Sequence, residues 1–375
     1  MRVAVARAGV RVVARVVARV FARVFGRAAT LFALLLCAAL GAAHAQPRTQ
    51  AAPPRAAAQP SPHAIDIPRW FTPSLLDFKD EVADAARAGK RVMIYFGQDG
   101  CPYCKALMQA NFGPGPIADK TQKAFVAIAL NIWGDTELTW LDGRASTEKQ
   151  LARALQVQFT PTLLFLETDG RIVLRLNGYL PPERFTHVLD WVIERRDREL
   201  SLAEYMSTKV SEPEIAPRTP RPYLMRDAAQ LARRGGAGAR PLAVLFESNR
   251  CKACAELHDE AFARPTLRAL LGRFDVASLA PGSTATLVTP DGRKSDARSF
   301  ARELQVQLYP TVVFFDGQSG REVFRFDGAM RPFHVESAFD YVVSGAWRNE
   351  PQFQRFVQTR AERLREQGKP VDLWR

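Results

Sequence analysis

The chain has 375 residues, of which 47% are hydrophobic and 24% are charged. This length favours two domains over one, and the apolar content excludes global disorder. The formal net charge is +13, but residues 1–45 hold seven Arg and no acidic residue, which leaves +6 for the rest of the chain. The sequence has no basic helix with interleaved aromatic side chains and no Gly-rich phosphate loop. No nucleic-acid partner is therefore expected.

The N-terminal segment has the organisation of an export signal. An Arg-rich stretch precedes the apolar run 28–43, and Ala-His-Ala then ends at Ala45, the small-x-small pattern of a signal-peptidase site. The sixteen residues of this run are fewer than the roughly 20 that a membrane-spanning helix needs. The sequence predicts cleavage after Ala45, a periplasmic location, and membrane attachment only through an uncleaved signal. Cys37 is expected to leave with the signal.

Two Pro-rich segments divide the remaining chain. "PRTQAAPPRAAAQPSP" predicts an unstructured tether, and "SEPEIAPRTPRP" predicts an interdomain linker. Between and after these segments, apolar strand patterns alternate with helical patterns. The predicted organisation is a signal peptide (1–45), a tether (46–63), a first domain (64–205), a linker (206–222), a second domain (223–348) and a C-terminal helix (349–375).

Each predicted domain repeats one order of elements. In the first domain the predictions are helix 74–90, strand 91–97, a helix from Cys101, strand 125–133, helix 146–157, strand 162–167, strand 171–176 and helix 181–194. In the second domain they are helix 227–235, strand 241–247, a helix from Cys251, strand 273–280, helix 295–306, strand 311–316, strand 321–328 and helix 334–343.

The two domains are related by a nearly constant offset. The Cys pairs lie 150 residues apart, and Pro161 and Pro310, which lead matching strands, lie 149 residues apart. Such an offset indicates duplication of one domain. Alternating strands and helices, with Pro-led antiparallel strand pairs, predict an α/β fold of two tandem domains, each a mixed central sheet flanked by helices.

Four Cys remain after the predicted signal, arranged as Cys101/Cys104 and Cys251/Cys254. Two intervening residues in a first helical turn bring the sulfurs of a pair close enough to bond. The first Cys then lies at the helix N-terminus, which stabilises a thiolate. Such a thiolate attacks a substrate disulfide, and the second Cys resolves the mixed disulfide. The pattern predicts two redox-active pairs.

A Pro follows each pair at a matching distance, 60 residues after the first Cys in one domain and 59 in the other. We expect the Thr160–Pro161 and Tyr309–Pro310 bonds to be cis and to face the Cys pairs, because an X-Pro bond is the common route to a cis peptide. Such a turn leaves backbone groups free to pair with an extended substrate segment.

Together these features resemble the thioredoxin superfamily. "QDGCPYC" with "STEKQLARALQVQFTPTLLFLETDGRIVLRLNGYLPPERF" is similar to exported bacterial thioredoxin-related proteins, and Pro-Tyr is also the glutaredoxin dipeptide. The resemblance covers residues 65–200 and, through the repeat, 223–345. It implies a thioredoxin-like fold in each domain, with nucleophiles, resolving thiols and substrate-binding turns at matching positions. These are Cys101 and Cys251 as nucleophiles, Cys104 and Cys254 as resolving thiols, and Thr160, Pro161, Tyr309 and Pro310 in the turns.

The sequence departs from the thioredoxin pattern at two places. Thioredoxins have Trp before the first Cys, whereas Gly100 and Arg250 stand there in this chain. Thioredoxins also have a buried Asp six residues before that Cys, and here Tyr95 and Leu245 occupy the position. The usual buried proton acceptor is missing from both domains.

The resulting hypothesis is an exported thiol–disulfide oxidoreductase of undetermined direction, without a cofactor or metal, that acts on protein thiols and disulfides. A membrane electron donor is a candidate partner. The alternative is a thioredoxin-fold scaffold that binds peptide or metal without redox turnover. Cys251, Cys254 and His258 form C-x2-C-x3-H, three ligand types that zinc accepts.

Overall fold

The computed structural model describes residues 64–210, 213–216, 221–233, 235 and 238–371. The elements below all belong to one compact unit, Pro60–Arg375. The predicted signal peptide, its cleavage site and the tether lie outside the described residues. In the part of the chain that the structure describes, no helix is both long and apolar enough to cross a membrane.

The first repeat, residues 64–210, contains two groups of strands and a set of helices. Its strands are β1 (Arg91–Gly97), β2 (Phe125–Asn131), β3 (Glu137–Thr139), β4 (Ala145–Thr147), β5 (Thr162–Leu166) and β6 (Ile172–Asn177). Its helices are α1 (Phe78–Arg87), α2 (Pro102–Ala106) with a π-helical continuation (Leu107–Asn111), α3 (Pro116–Ala124), α4 (Glu148–Ala154), α5 (Pro182–Ile193), a 3-10 turn (Arg196–Arg198) and α6 (Leu202–Lys209).

The second repeat, which begins near residue 221, has nearly the same elements. Its strands are β7 (Leu242–Phe246), β8 (Asp275–Leu279), β9 (Thr286–Val288), β10 (Lys294–Asp296), β11 (Thr311–Phe315) and β12 (Glu322–Asp327). Its helices are α7 (Lys252–Glu256) with a π-helical continuation (Leu257–Ala261), α8 (Pro265–Leu271), α9 (Ala297–Glu303), α10 (Pro332–Val343), a 3-10 turn (Ala346–Arg348) and α11 (Phe353–Glu366).

The two central sheets have the same strand order. The first runs β2-β1-β5-β6 and the second β8-β7-β11-β12. In each sheet the first two strands are parallel, and the other neighbours are antiparallel. These repeated mixed sheets, flanked by helices, confirm the predicted fold of two tandem domains. The boundaries drawn for the domains remain predictions, and α6 spans the one drawn at residue 205.

Helix α1 shows how local chemistry sets an element boundary. The predicted helix 74–90 is longer than the observed one, because Leu76 has a φ of 61° and Asp77 is extended. The Asp77 side chain accepts hydrogen bonds from two amides of the first turn at 3.1 and 3.2 Å. Such an N-cap satisfies donors that the helix itself cannot pair. The helix therefore begins after Asp77.

The predicted helix 227–235 is wrong. Its described residues form turns and short β-bridges, including one from Gln230 to Val288. The Leu231 amide donates to the Val288 carbonyl at 2.9 Å, so backbone donors that a helix would use pair with β9 instead. A two-turn helix has little stability of its own. Leu231 is fully buried in this extended segment, and burial of its apolar surface stabilises the pairing with β9.

Each repeat contributes one side chain to the core of the other. Phe159, two residues before Pro161, packs in the second repeat's core, with ring centroids 5.5 Å from Phe324 and 5.4 Å from Phe353. Leu308, two residues before Pro310, packs in the first repeat's core. The two repeats are thus joined beside their cis-proline turns.

Candidate functional site

The first Cys pair lies where β1 ends and α2 begins. Cys101 is the N-cap of α2, and its Sγ accepts a hydrogen bond from the Cys104 amide at 3.1 Å. Pro102 occupies the first helical turn, where a missing amide hydrogen costs no helix hydrogen bond. A disulfide joins Cys101 and Cys104, whose Cα atoms are 5.2 Å apart. In the reduced state the backbone donors at this helix start favour a thiolate on Cys101.

The Thr160–Pro161 turn faces the sulfur of Cys101. The peptide bond is cis, and the Thr160 carbonyl oxygen lies 3.3 Å from Cys101 Sγ. The Thr160 hydroxyl lies 3.4 Å from the same sulfur. The expectation of a cis turn against the Cys pair is confirmed here. The substrate-binding role of Thr160 and Pro161 stays a prediction.

The second Cys pair has the same local geometry. Cys251 is the N-cap of α7, its Sγ accepts from the Cys254 amide at 3.1 Å, and a disulfide joins the two. The Tyr309–Pro310 bond is cis, and Tyr309 packs against the buried cluster of Cys251, Ala253 and Cys254. Burial, with the nearby charge of Glu204, raises the pKa of Tyr309 to about 12. The phenol therefore stays neutral, and the roles of Tyr309 and Pro310 in substrate binding stay predictions.

The first Cys of each pair is the more accessible one. Cys101 and Cys251 are 5% and 7% exposed, whereas Cys104 and Cys254 are 0% and 2% exposed. An incoming disulfide therefore reaches Cys101 or Cys251 first. This order fits attack by the first Cys and resolution by the second.

The second repeat lines the cleft beside Cys101. This cavity of about 130 Å³ is bordered by Cys101 and Tyr103 on one side and by Phe326 and His334 on the other. The Tyr103 and His334 rings meet edge to face, with centroids 6.1 Å apart. Burial, assisted by the charge of Arg331, lowers the pKa of His334 to about 4. His334 is therefore neutral at pH 7.

The first repeat lines the cleft beside Cys251. This cavity of about 330 Å³ is bordered by Arg250 and Cys251, and by Arg184 and Met206 from the first repeat. Arg184 occupies the position equivalent to His334, 150 residues earlier. A cation thus faces the second pair where a neutral imidazole faces the first.

Sequence reasoning missed Arg184, His334 and Glu247. Arg184 and His334 each lie beside the Cys pair of the other repeat, and spacing within one repeat does not reveal such a contact. Glu247 is 8% exposed and follows β7 directly. A signal for it existed, since an acidic residue at the end of an apolar strand, four residues before Cys251, is unusual in a buried position.

His258 has other partners than a metal ion. Its Nε2 lies 2.6 Å from Glu247 Oε2, and its Nδ1 lies 2.7 Å from the Tyr223 hydroxyl. Within the described residues, no group of three or more His, Cys, Asp or Glu side chains is arranged to hold a metal ion. Both ring nitrogens that could bind zinc are already hydrogen-bonded.

The sequence matches the family model of a thioredoxin-like domain twice, at residues 78–193 and 228–343. Together the two matches cover more than half of the chain. Among curated proteins, no sequence matches.

Several solved structures are similar to parts of the chain. A thioredoxin-fold protein from Helicobacter pylori has 24% identity, over 32% of this chain and 79% of its own, with a TM-score of 0.26. A thioredoxin from Thermus thermophilus has 27% identity, over 31% of this chain and 83% of its own, with a TM-score of 0.26. A protein disulfide oxidoreductase from Aeropyrum pernix has 15% identity, over 74% of this chain and 97% of its own, with a TM-score of 0.23.

Proposed function

Because this chain belongs to the thioredoxin-like family, we propose that it is an exported thiol–disulfide oxidoreductase acting on proteins. Its two active pairs are Cys101/Cys104 and Cys251/Cys254. One observation carries the proposal: in both repeats the first Cys caps a helix, accepts a hydrogen bond from the second Cys, and lies against a cis-proline turn. A disulfide kept only for stability would close a loop of four residues, which constrains the unfolded chain little.

The reaction needs only the two thiols of one pair. In the reductive direction the Cys101 thiolate attacks one sulfur of a substrate disulfide, and the other substrate sulfur leaves as a thiolate that takes up a proton. Cys104 then loses its proton and attacks Cys101 Sγ. The Cys101–Cys104 disulfide forms, the second substrate sulfur leaves, and two electrons have passed to the substrate. The reverse steps oxidise a substrate dithiol.

The turns beside the pairs supply the substrate contact. An extended substrate segment pairs with backbone groups next to Pro161 or Pro310, and this places its sulfur against the recessed nucleophile. The redox partner sets the direction of electron flow. In the reductive direction, a membrane electron donor restores the dithiol after each turnover.

The proposal includes export, because a disulfide-exchanging protein of this kind works where disulfides persist. The apolar run that ends at Ala45 predicts cleavage there and a periplasmic mature protein. N-terminal sequencing of the protein from a periplasmic fraction tests this. A mature N-terminus before Gln46, or retention in the cytoplasm, contradicts it.

Reduction of insulin disulfides by the full chain tests the activity. We expect turnover by the wild type, partial loss in Cys101→Ser or Cys251→Ser, and complete loss in the double variant. Leu75→Ser is the control, because Leu75 is 97% exposed. Turnover that survives the double substitution contradicts the proposal. Peptide binding without any turnover by the wild type supports the scaffold alternative instead.

A further inference from the structure

The cleft beside Cys251 is bordered by two cations and by no acidic side chain. Arg184, from α5 of the first repeat, and Arg250, the residue before Cys251, both border this cavity of about 330 Å³. The remaining residues that border the cavity are uncharged. The surface that a substrate meets beside Cys251 is therefore positively charged.

Neither guanidinium forms an ion pair in the part of the chain that the structure describes. Arg184 Nε is buried and, among the same residues, has no hydrogen-bond partner. Arg184 also lies in the first turn of α5, where the helix dipole disfavours a cation. A buried donor without a partner costs stability, so the stability of the fold does not explain the position of Arg184. A ligand with oxygen acceptors would satisfy it.

Three acidic residues lie near these cations in the chain or in space. Glu204 accepts hydrogen bonds from the Ser201 amide and hydroxyl at 2.9 and 2.8 Å, and Glu214 accepts one from Asn249 Nδ2 at 2.6 Å. Glu183 is exposed and precedes Arg184 in α5, and adjacent residues of a helix do not face each other. None of these three carboxylates borders the cavity, so none occupies the place of a substrate carboxylate.

The cleft beside Cys101 lacks these cations. Gly100 stands in place of Arg250, and neutral His334 stands in place of Arg184. Asp327 borders this cavity, and no Lys or Arg among the described residues does so. Arg331 interacts with the Tyr103 hydroxyl but does not border the cavity. The two Cys pairs therefore present clefts of different charge to a substrate.

We propose that Arg184 and Arg250 bind a carboxylate of the substrate, so that the second pair selects disulfides whose cysteine lies close to Asp or Glu in an extended protein segment. This inference rests on the proposed function and names the substrate class of one of its two pairs. A planar guanidinium binds a carboxylate through two parallel hydrogen bonds. A segment paired beside Pro310 places its sulfur at Cys251 and its acidic side chain in the cleft. The first pair does not share this preference.

Two matched peptide disulfides test this preference. In full-length protein carrying Cys101→Ser and Cys104→Ser, the reduced second pair is mixed with blocked Gly-Glu-Cys-Glu-Gly or Gly-Gln-Cys-Gln-Gly, each with its cysteine joined to thiopyridine. The Cys251 thiolate attacks the peptide sulfur, the Cys251–peptide disulfide forms, and the thiopyridine leaves with the electron pair and takes up a proton. Absorbance of the released thiopyridine gives the second-order rate constant. Division by the rate constant with dithiothreitol removes the intrinsic difference in reactivity between the peptides.

We expect the glutamate peptide to react about tenfold faster than the glutamine peptide, the factor that one charge-assisted hydrogen bond supplies. Added salt should reduce this ratio, because it screens charges at the surface. Arg184→Gln should lower the ratio to about threefold, and Arg184→Gln with Arg250→Gln should abolish the preference. Arg184→Lys should give an intermediate ratio, because Lys keeps the charge without the planar fork. Arg184→Gln also raises the pKa of the Cys251 thiol and slows both peptides, so only the ratio reports carboxylate binding.

Arg250→Gln, at an exposed side chain, is the second variant and keeps the test valid if Arg184→Gln does not fold. The matched control is the first pair in protein carrying Cys251→Ser and Cys254→Ser. There the glutamate peptide should have no advantage, and His334→Gln should not create one. Glutathione joined to thiopyridine is a small thiol with the same leaving group. It should react more slowly with the second pair than the glutamate peptide does, because its γ-linked backbone does not pair as an extended segment.

The outcomes separate this inference from the proposed function. Equal rate constants for the two peptides at the second pair, or a preference that survives the double Arg substitution, would overturn the inference alone. A faster reaction of the glutathione disulfide would overturn the assignment to protein segments. No reaction with either peptide, in folded and reduced protein, would refute the proposed function.

Discussion

Asn177 donates a hydrogen bond from Nδ2 to Oδ2 of Asp327 at 2.8 Å, and these residues occupy the same position in the two repeats, 150 residues apart. Each ends its edge strand, β6 or β12. The Oδ1 atom of each accepts a hydrogen bond from an equivalent hydroxyl, that of Thr162 at 3.2 Å or that of Thr311 at 2.8 Å. An approximate twofold axis therefore passes between Asn177 and Asp327, and each Cys pair faces the opposite repeat.

Removing the Asn177 amide should destabilise the contact between the repeats. In Asn177→Ala the Asp327 carboxylate keeps Thr311 but loses a charge-assisted partner, which costs about 1–2 kcal/mol of unfolding free energy. Urea unfolding measures this loss. Asp327→Asn, which keeps an acceptor oxygen, should cost less. Unchanged stability in Asn177→Ala would show that this hydrogen bond does not hold the repeats together.

The side chains that each repeat contributes to the core of the other, Phe159 and Leu308, should contribute more to the free energy of unfolding than the Asn177–Asp327 hydrogen bond. Phe159→Ala empties a site in the second repeat's core and should cost about 3–5 kcal/mol, and Leu308→Ala about 2–5 kcal/mol. Leu75→Ala, at a position 97% exposed, should change stability by less than about 0.5 kcal/mol. Thermal and urea unfolding give these values. If Phe159→Ala behaves like Leu75→Ala, the core of the second repeat does not depend on the side chain that the first repeat contributes.

His334 should make stability fall in mild acid. Its pKa in the folded protein is about 4, whereas an unfolded His titrates near pH 6.5. Between these values the unfolded chain binds a proton that the folded chain does not, so the His334 contribution to stability falls as the pH drops from about 6.5 to about 4. His334→Phe should remove this part of the slope. Urea unfolding midpoints between about pH 4 and about pH 6.5 measure this slope. The same dependence of stability on pH in the wild type and in His334→Phe would contradict a lowered pKa of His334.

Charged side chains near the sulfurs should give the first Cys of the two pairs different thiol pKa values. Cys251 lies between Arg250 and Lys252 and faces Arg184 across its cleft, although Lys252 also pairs with Glu256 at 3.6 Å. We expect the Cys251 thiol to have a pKa about one unit below that of Cys101, which corresponds to ~1.4 kcal/mol. The more stable thiolate makes the second disulfide more oxidising, by at most about 30 mV.

Thiolate absorbance measured during a pH titration, in variants that each keep one Cys pair, gives the pKa of the Cys101 and Cys251 thiols and so tests which is lower. Arg184→Gln should raise the pKa of the Cys251 thiol and leave that of Cys101 unchanged. Equal pKa values in the two pairs, or a lower value at Cys101, would refute the order and leave the proposal of two active pairs intact.

The sequence was sufficient for the parts of the fold that local pattern controls. Strand 91–97 is buried along its whole length, and its apolar run predicts it directly. The placement of each Cys pair before a helix, and of each cis proline against the sulfur, also follows from spacing within one repeat. A duplicated pattern made these predictions stronger, because each repeat checks the other.

The failures occur where a contact is distant in sequence. The segment 227–235 has a helical pattern, yet pairing with β9 decides its structure. Arg184 and His334 approach the Cys pair of the opposite repeat, which depends on how the repeats pack. The sequence marked His258 as a candidate zinc ligand, whereas in the structure its two ring nitrogens are hydrogen-bonded to Glu247 and Tyr223.

Capture of the mixed disulfide shows directly whether Cys101 and Cys251 exchange disulfides with a protein substrate. Reduced Cys104→Ser and Cys254→Ser variants, each lacking the other pair, are mixed with insulin, quenched in acid and analysed by mass spectrometry. We expect a covalent insulin chain on Cys101 in the first variant and on Cys251 in the second, released by a reducing agent. Adducts on neither residue, in protein that is folded and fully reduced, would contradict the claim that these sulfurs exchange disulfides with protein substrates.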